Sequence, residues 1–221
     1  MVTFLPDLGT TRFNYSELIH PKLYGSLPSA SRPQLPVLKP VDVASIVPIR
    51  LVPFHEAYAH KDYGAVVHFY IYYKHFLCVL RHPERYLDFF QKCRAVIAPD
   101  LSQYADMSAQ ERYLSAYINR AFARYLQDKG VVVIPNVTWS LPDSYGYSFT
   151  GIPQYSPVAI NCNGILKHDV SKYLWYRGYE QAVSTLHPSL IIRYGTRMPN
   201  EHSDVSLYFC NERLMKLRHG S

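Results

Sequence analysis

Short apolar runs alternate along this chain with longer stretches in which apolar residues recur every three or four positions. The runs are "IVPIRLV" (46–52), "GAVVHFYIYY" (64–73), "RAVIA" (94–98), "VVVI" (131–134), "SPVAINC" (156–162) and "SLIIRYG" (189–195). Their β-branched and aromatic content predicts strands. Between them, "HPERYLDFFQKC" (82–93) reads as a helix with Pro83 in its first turn. A longer helix starts at Ser108, where Ser108 and Glu111 have the spacing of a capping box. Leu114, Ile118, Ala121 and Tyr125 then follow at helical spacing, and Gly130 is placed to end the helix in a left-handed conformation. A further helix is predicted over 168–188, carrying Val170, Leu174, Ala182 and Leu186 and stopped by His187-Pro188. A last short helix is expected over roughly 203–218.

Strands alternating with long helices imply βαβ units and a parallel sheet. Continuous rather than alternating apolar strands imply that both faces are covered. The expectation is an α/β domain over 46–221 with about five strands, mainly parallel. Two architectures fit, an open doubly wound sheet or a partial barrel. Residues 1–45 read as an extended arm, because "LPSASRPQLPVLKP" (27–40) holds four prolines and little periodicity.

In parallel α/β folds, ligands gather at the carboxyl ends of the strands. Four runs stop at polar or aromatic residues. One ends at Pro99-Asp100-Leu101-Ser102. Another ends at Pro135-Asn136, with Thr138 and Trp139 just beyond. The others end at Asn161-Cys162-Asn163-Gly164 and at Tyr194-Gly195-Thr196-Arg197. A parallel sheet predicts convergence of Asp100, Ser102, Asn136, Trp139, Asn161, Asn163, Tyr194 and Arg197. Asp100, Ser102 and Asn136 are the candidate catalytic residues, and the others are candidate ligand contacts. Asp100 is the one carboxylate directly after a strand, so general-base or nucleophilic work needs a partner, with Asp143 and Asp169 as candidates. All of these residue types also serve as ordinary turn and cap residues.

Composition changes this picture in two ways. The chain has 221 residues, a net charge of +6 and 20 Tyr, 10 Phe and 2 Trp. Basic charge favours polyanionic partners, and aromatic rings stack on bases. One helix face combines both: Tyr113, Tyr117, Arg120 and Arg124 stand at i, i+4, i+7 and i+11. The competing reading packs both Tyr against the core while the Arg side chains reach water. Arg213, Lys216 and Arg218 form a smaller basic patch. No phosphate loop of the GxGxxG or GxxxxGK[ST] kind occurs, nor HExxH or GxSxG. Cysteines at 78, 93, 162 and 210 have no metal-ligand spacing and read as free thiols. No cofactor and no metal are implied. No apolar run approaches the ~20 residues of a bilayer span, so no membrane partner is expected and a cytoplasmic location is.

Several blocks occur in an order that resembles a domain family of unknown function found largely in phages, plasmids and integrative mobile elements. They are Pro99-Asp100-Leu101-Ser102, Asn119-Arg120, Ile134-Pro135 with Trp139, Gly151-Ile152, Ala159-Ile160 with Gly164, and Tyr194-Gly195. The resemblance covers roughly residues 60–195. Ala98 stands where the family pattern has Ser, and Asn161-Cys162 where it has Ser-Thr. The resemblance implies an accessory protein of a mobile element and brings no activity, substrate or cofactor. The function expected is binding of nucleic acid or a nucleotide through the basic aromatic face and strand-end cleft; the alternatives are a hydrolase-type enzyme acting on a nucleotide or sugar through Asp100, and a protein that binds and inhibits a host complex, its partner being host- or element-encoded.

Overall fold

The computed structural model describes residues 34–165, 169–202 and 205–209. Seven strands lie among them: β1 (Leu51–Pro53), β2 (Val66–His68), β3 (Ala95–Ile97), β4 (Val133–Ile134), β5 (Pro157–Asn161), β6 (Leu190–Tyr194) and β7 (Ser206–Phe209). Every pairing is parallel, and the order is the order in the sequence, β1-β2-β3-β4 and then β5-β6-β7. The two sheets join where β4 runs on. Ala159 N–H donates to the Pro135 carbonyl at 2.8 Å and Val137 N–H donates to the Ala159 carbonyl at 2.9 Å. The predicted parallel α/β architecture is present.

The connections supply the helices: α1 (Val43–Ile46), α2 (Phe54–His60), α3 (Leu77–Arg81), α4 (Leu87–Lys92), α5 (Ala109–Asp128), α6 (Tyr145–Ser148) and α7 (Asp169–Leu186). The Ser108–Glu111 capping box forms in both directions, and Gly130 follows α5 at φ +83°. The stretch 82–93 divides into a 3-10 turn at Pro83–Tyr86 and then α4. Residues 206–209 form a strand where a helix was expected, because β6 offers them a free parallel edge. The rest of that tail, with Cys210, Arg213, Lys216 and Arg218, lies outside the described residues, as do residues 1–33 of the expected arm.

Side-chain alternation decides between the two architectures. Val67, Val96 and Val133 point to one face and pack with Phe76, Phe90, Phe122 and Leu126. On β5 and β6 the same face, Val158, Ile160 and Ile191, packs with Trp175, Tyr179, Ala182 and Leu186 of α7. The opposite face, Val66, Ala95, Ile97, Ile134, Ala159 and Ile192, forms its own cluster. Across a flat sheet, β2 and β6 would stand about 19 Å apart at roughly 4.8 Å per strand. Yet the Tyr194 ring lies 4.7 Å from His68 and 4.8 Å from Tyr70, centroid to centroid. The sheet is therefore curled into a partial barrel, with its long helices outside. No strand-order reversal of the doubly wound kind is present among the described strands.

Residues 34–42 lie along the outside without regular structure. Leu35 and Leu38 are buried in the helix-side core. Gln127 mimics a strand partner for Lys39, accepting from its N–H at 2.8 Å and donating to its carbonyl at 3.0 Å. Arg193 and Glu201 form an ion pair with no exposed side-chain surface. The carboxylate also accepts from Met198 N–H at 2.9 Å, and the guanidinium donates to the Ile160 carbonyl at 2.8 Å and lies over the Trp175 ring. Satisfied on these sides, the pair anchors the segment after β6 to α7.

His68 faces the barrel interior with 1% of its surface exposed. Its Nδ1 accepts from Tyr70 N–H at 3.1 Å, which requires that nitrogen to be unprotonated. Burial, with a smaller contribution from His55, holds its pKa down at about 3. The unfolded chain binds this proton from about pH 6.5 downward while the folded chain does not. Stability is thus complete above pH 6.5 and is lost toward pH 3, at about 1.4 kcal/mol per pH unit within that window. Urea midpoints from pH 7 to 5 should fall accordingly in the wild type and flatten in His68→Phe; equal slopes would assign the loss to other groups.

Candidate functional site

The chain leaves β3 through Pro99 into Asp100, and α5 holds this turn in place. Asn119 clasps the Leu101 backbone at both ends, accepting from its N–H and donating to its carbonyl, each at 3.1 Å. The next residue, Arg120, donates to the carbonyls of Ser148 and Thr150. The Asn-Arg pair on α5 therefore pins the two loops that flank the strand ends.

Asp100 sits between two carboxamides. Asn136 Nδ2 donates to Oδ1 at 3.0 Å and Asn161 Nδ2 donates to Oδ2 at 2.8 Å. Both amides are oriented by their other ends. Asn161 Oδ1 accepts from the Asn163 backbone N–H at 2.9 Å, so its NH2 must face the carboxylate. Asn136 Oδ1 accepts from the Tyr70 hydroxyl at 2.9 Å. Burial raises the Asp100 pKa above the ordinary carboxylate value, and the two amide bonds offset part of that rise. Tyr70, buried and close to this carboxylate, has its own pKa pushed well up. It stays a neutral donor.

A cavity of about 330 Å³ opens beside Asp100. Its wall includes Ser102, Gln103, Trp139, Asn161, Asn163 and Trp175. Trp139 is seated on α7 where Gly178 leaves room: a Cβ there would lie 2.0 Å from the indole Nε1. Trp175, 4% exposed, is stacked on Tyr179 and stands 5.9 Å from Trp139. Ser140 and Trp175, both on the cavity wall, carry buried polar atoms with no hydrogen-bond partner among the described residues. Volume, aromatic walls and a few converging polar groups are the usual features of a small-molecule site.

Of the strand-end residues expected to converge, Asp100, Ser102, Trp139, Asn161 and Asn163 line this one cavity. Asn136 stands behind Asp100 as its hydrogen-bond partner. Tyr194 turns inward to the His68 and Tyr70 rings instead. Arg197 is exposed and off the cavity wall. Neither proposed second carboxylate reaches Asp100's cavity: Asp143 pairs with Arg112 at 2.6 Å, and Asp169 pairs with Lys172 at 2.9 Å. Asp106 is the other carboxylate on the wall.

The basic aromatic face of α5 is corrected by its packing. Tyr113 and Tyr117 are each 8% exposed and Arg120 is 4% exposed. Arg124 is engaged with Asp128 and the Val37 carbonyl. Tyr147 of α6 meets the Tyr113 ring edge-on, Arg120 reaches the carbonyls at the end of α6 and just after it, and the Val37 carbonyl takes Arg124, so the face that helical spacing alone presents as a surface is covered. Burial lowers the Arg120 pKa to about 9, which leaves it charged at neutral pH. On α7 the buried stripe is Trp175, Gly178, Tyr179, Ala182 and Leu186, and Val170 is exposed. Sequence reasoning missed Tyr70, Gln103, Asp106, Ser140 and Trp175. Tyr70 had a signal, lying at i+4 from Val66 along one strand face; the loop residues had none. Among the described residues no group of three His, Cys, Asp or Glu is placed to hold a metal, and no helix is long and apolar enough to cross a membrane.

Fold and site define a parallel α/β partial barrel with a carboxylate clamped at its strand ends. The chain belongs to the family described as "Domain of unknown function (DUF4417)", whose model matches residues 27–210. That match takes in the proline-rich segment. The "Gene 1 protein" of Mycobacterium phage L5 is 33% identical over 168 residues, 76% of this chain and 73% of that protein. The "Gene 1 protein" of Mycobacterium phage D29 is 32% identical over 174 residues, 77% of this chain and 63% of that protein, so the chain spans less than two thirds of it. The family is therefore phage-associated. No solved structure matches the chain.

Gly→Ala in a helix ordinarily stabilises by up to ~1 kcal/mol. Gly178→Ala should instead destabilise by about 1–3 kcal/mol through overpacking against Trp139, and should shift the tryptophan emission. A stabilised variant with unchanged emission would mean that Trp139 moves aside freely.

Proposed function

We propose that this phage-family protein is a hydrolase-type enzyme whose strand-end cavity takes a small molecule of the nucleotide or sugar class. The observation that carries the reading is the carboxylate of Asp100, fixed in orientation by two carboxamide donors at the edge of an aromatic-walled cavity. Its raised pKa makes it a stronger base than a solvated aspartate, suited to accept a proton from water or from a ligand hydroxyl. Asn136 and Asn161 hold it, and Tyr70 holds Asn136. Trp139 gives the ligand ring an apolar wall, and Ser102, Asn161 and Asn163 offer polar contacts beside it. In a phage setting this chemistry would serve as an accessory activity. The burial of Tyr113, Tyr117 and Arg120 removes the surface on which nucleic-acid binding by α5 would depend.

Both tryptophans of the chain line the cavity, so intrinsic fluorescence reports directly on it. Titration with nucleosides, nucleotides and monosaccharides should find saturable quenching, and chromatography of the incubated binders should find a hydrolysis product. Asp100→Asn should retain the fold, with a melting temperature within about 4 °C of the wild type, and lose about 10²–10⁴-fold in turnover. A variant that melts far earlier yet turns over normally when folded would make Asp100 a structural turn residue.

A further inference from the structure

We propose that Arg112 is a positioning residue of the strand-end cavity, holding on one guanidinium the two loops that carry much of its wall. For ligand binding the proposal rests on the small-molecule reading above; for the shape of the cavity it stands on the contacts alone. The loop after β3 lines the cavity with residues 102–106, and the loop after β4 lines it with residues 137–140. Arg112 Nη1 donates to the Met107 carbonyl at 2.7 Å and to the Ala105 carbonyl at 3.5 Å. Its Nη2 pairs with Asp143 at 2.6 Å. Each contact reaches the wall through a closed turn. Met107 N–H donates to the Tyr104 carbonyl at 3.2 Å, so the hold on Met107 extends to Tyr104, Ala105 and Asp106. Asp143 lies in the 3-10 turn Pro142–Ser144, and Ser144 Oγ accepts from Ser140 N–H at 2.9 Å. Movement of Asp143 is thereby passed to Ser140 and its neighbour Trp139.

Two features separate this role from ordinary fastening. Arg112 stands in the first turn of α5, where the helix dipole opposes a cation. It is also incompletely bonded. Arg193 spends its Nε on Glu201, whereas the buried Nε of Arg112 has no hydrogen-bond partner among the described residues. A buried donor left unspent costs stability. Neither the helix nor the bonding of the side chain itself accounts for an arginine here; the two loops do. The pair is unequally exposed, with 5% of the Arg112 side chain and 55% of the Asp143 side chain reaching solvent. The Asp143 end can therefore be altered from the surface without emptying the core.

Acrylamide, an uncharged quencher, reads access to the two wall tryptophans without any ligand. Asp143→Ala cuts one half of the clamp and leaves the carbonyl half. It should raise the quenching constant about twofold, because the freed turn samples open states. Asp143→Glu should bring the constant back toward the wild-type value, since it restores the carboxylate. Arg112→Lys should raise quenching at least as much as Asp143→Ala, because an ammonium lacks the fork that spans both loops. Leu80→Ala, in the helix-side core and off the cavity wall, is the control. It should lower Tm and leave quenching below the transition unchanged. Unchanged quenching in Asp143→Ala would overturn the proposal, as would an equal rise in Leu80→Ala. Any nucleoside, nucleotide or monosaccharide that saturably quenches the wild type should bind Asp143→Ala about tenfold more weakly, because a loosened wall is no longer preorganised. Equal affinity would overturn the positioning role even where quenching rises. Absence of a saturating ligand would overturn the small-molecule reading and leave acrylamide to decide whether Arg112 sets the cavity's shape.

Discussion

The contact between the ends of β2 and β6 is the constraint on which the rest of the structure depends. His68, Tyr70 and Tyr194 stack within one another's reach across the curled sheet. Parallel strands with this sequential order could lie flat, and the strand ends would then be spread along an edge. Closing the curvature brings β3, β4 and β5 around a single point, and Asp100 occupies it. The rings fill the interior beneath that point. Tyr70 also links the two layers, since its hydroxyl sets the orientation of Asn136, which in turn holds Asp100. Packing and site electrostatics are in this sense one arrangement.

The basic residues illustrate how little a net charge says about a surface. Arg112, Arg120 and Arg193 are all buried. Each ties separate segments together: Arg112 the loops around Met107 and Asp143, Arg120 the loop after α6, and Arg193 the segment after β6. Breaking such a buried arrangement leaves an uncompensated charge, at a typical cost of 3–5 kcal/mol. These guanidiniums act as internal fasteners. The charged side chains on the described part of the cavity wall, Asp100 and Asp106, are by contrast acidic.

The α/β class, the parallel sheet, the long helix with its capping box and the strand-end location of Asp100, Asn136 and Asn161 are determined by the sequence alone. Local pattern suffices for them, because period-2 and period-3.6 hydrophobicity and a side-chain cap depend on neighbours a few residues away. What only the tertiary structure decided depends on residues far apart. The choice of a barrel over an open sheet rests on β2 meeting β6. The burial of Tyr113, Tyr117 and Arg120 rests on α6 and residues 34–42 covering a face that helical spacing leaves open. The inward turn of Tyr194, the strand at 206–209 and the joining of Trp139 to Trp175 across Gly178 likewise need a partner element in place. A single chain's pattern records which face of an element is apolar; it does not record which distant element covers it.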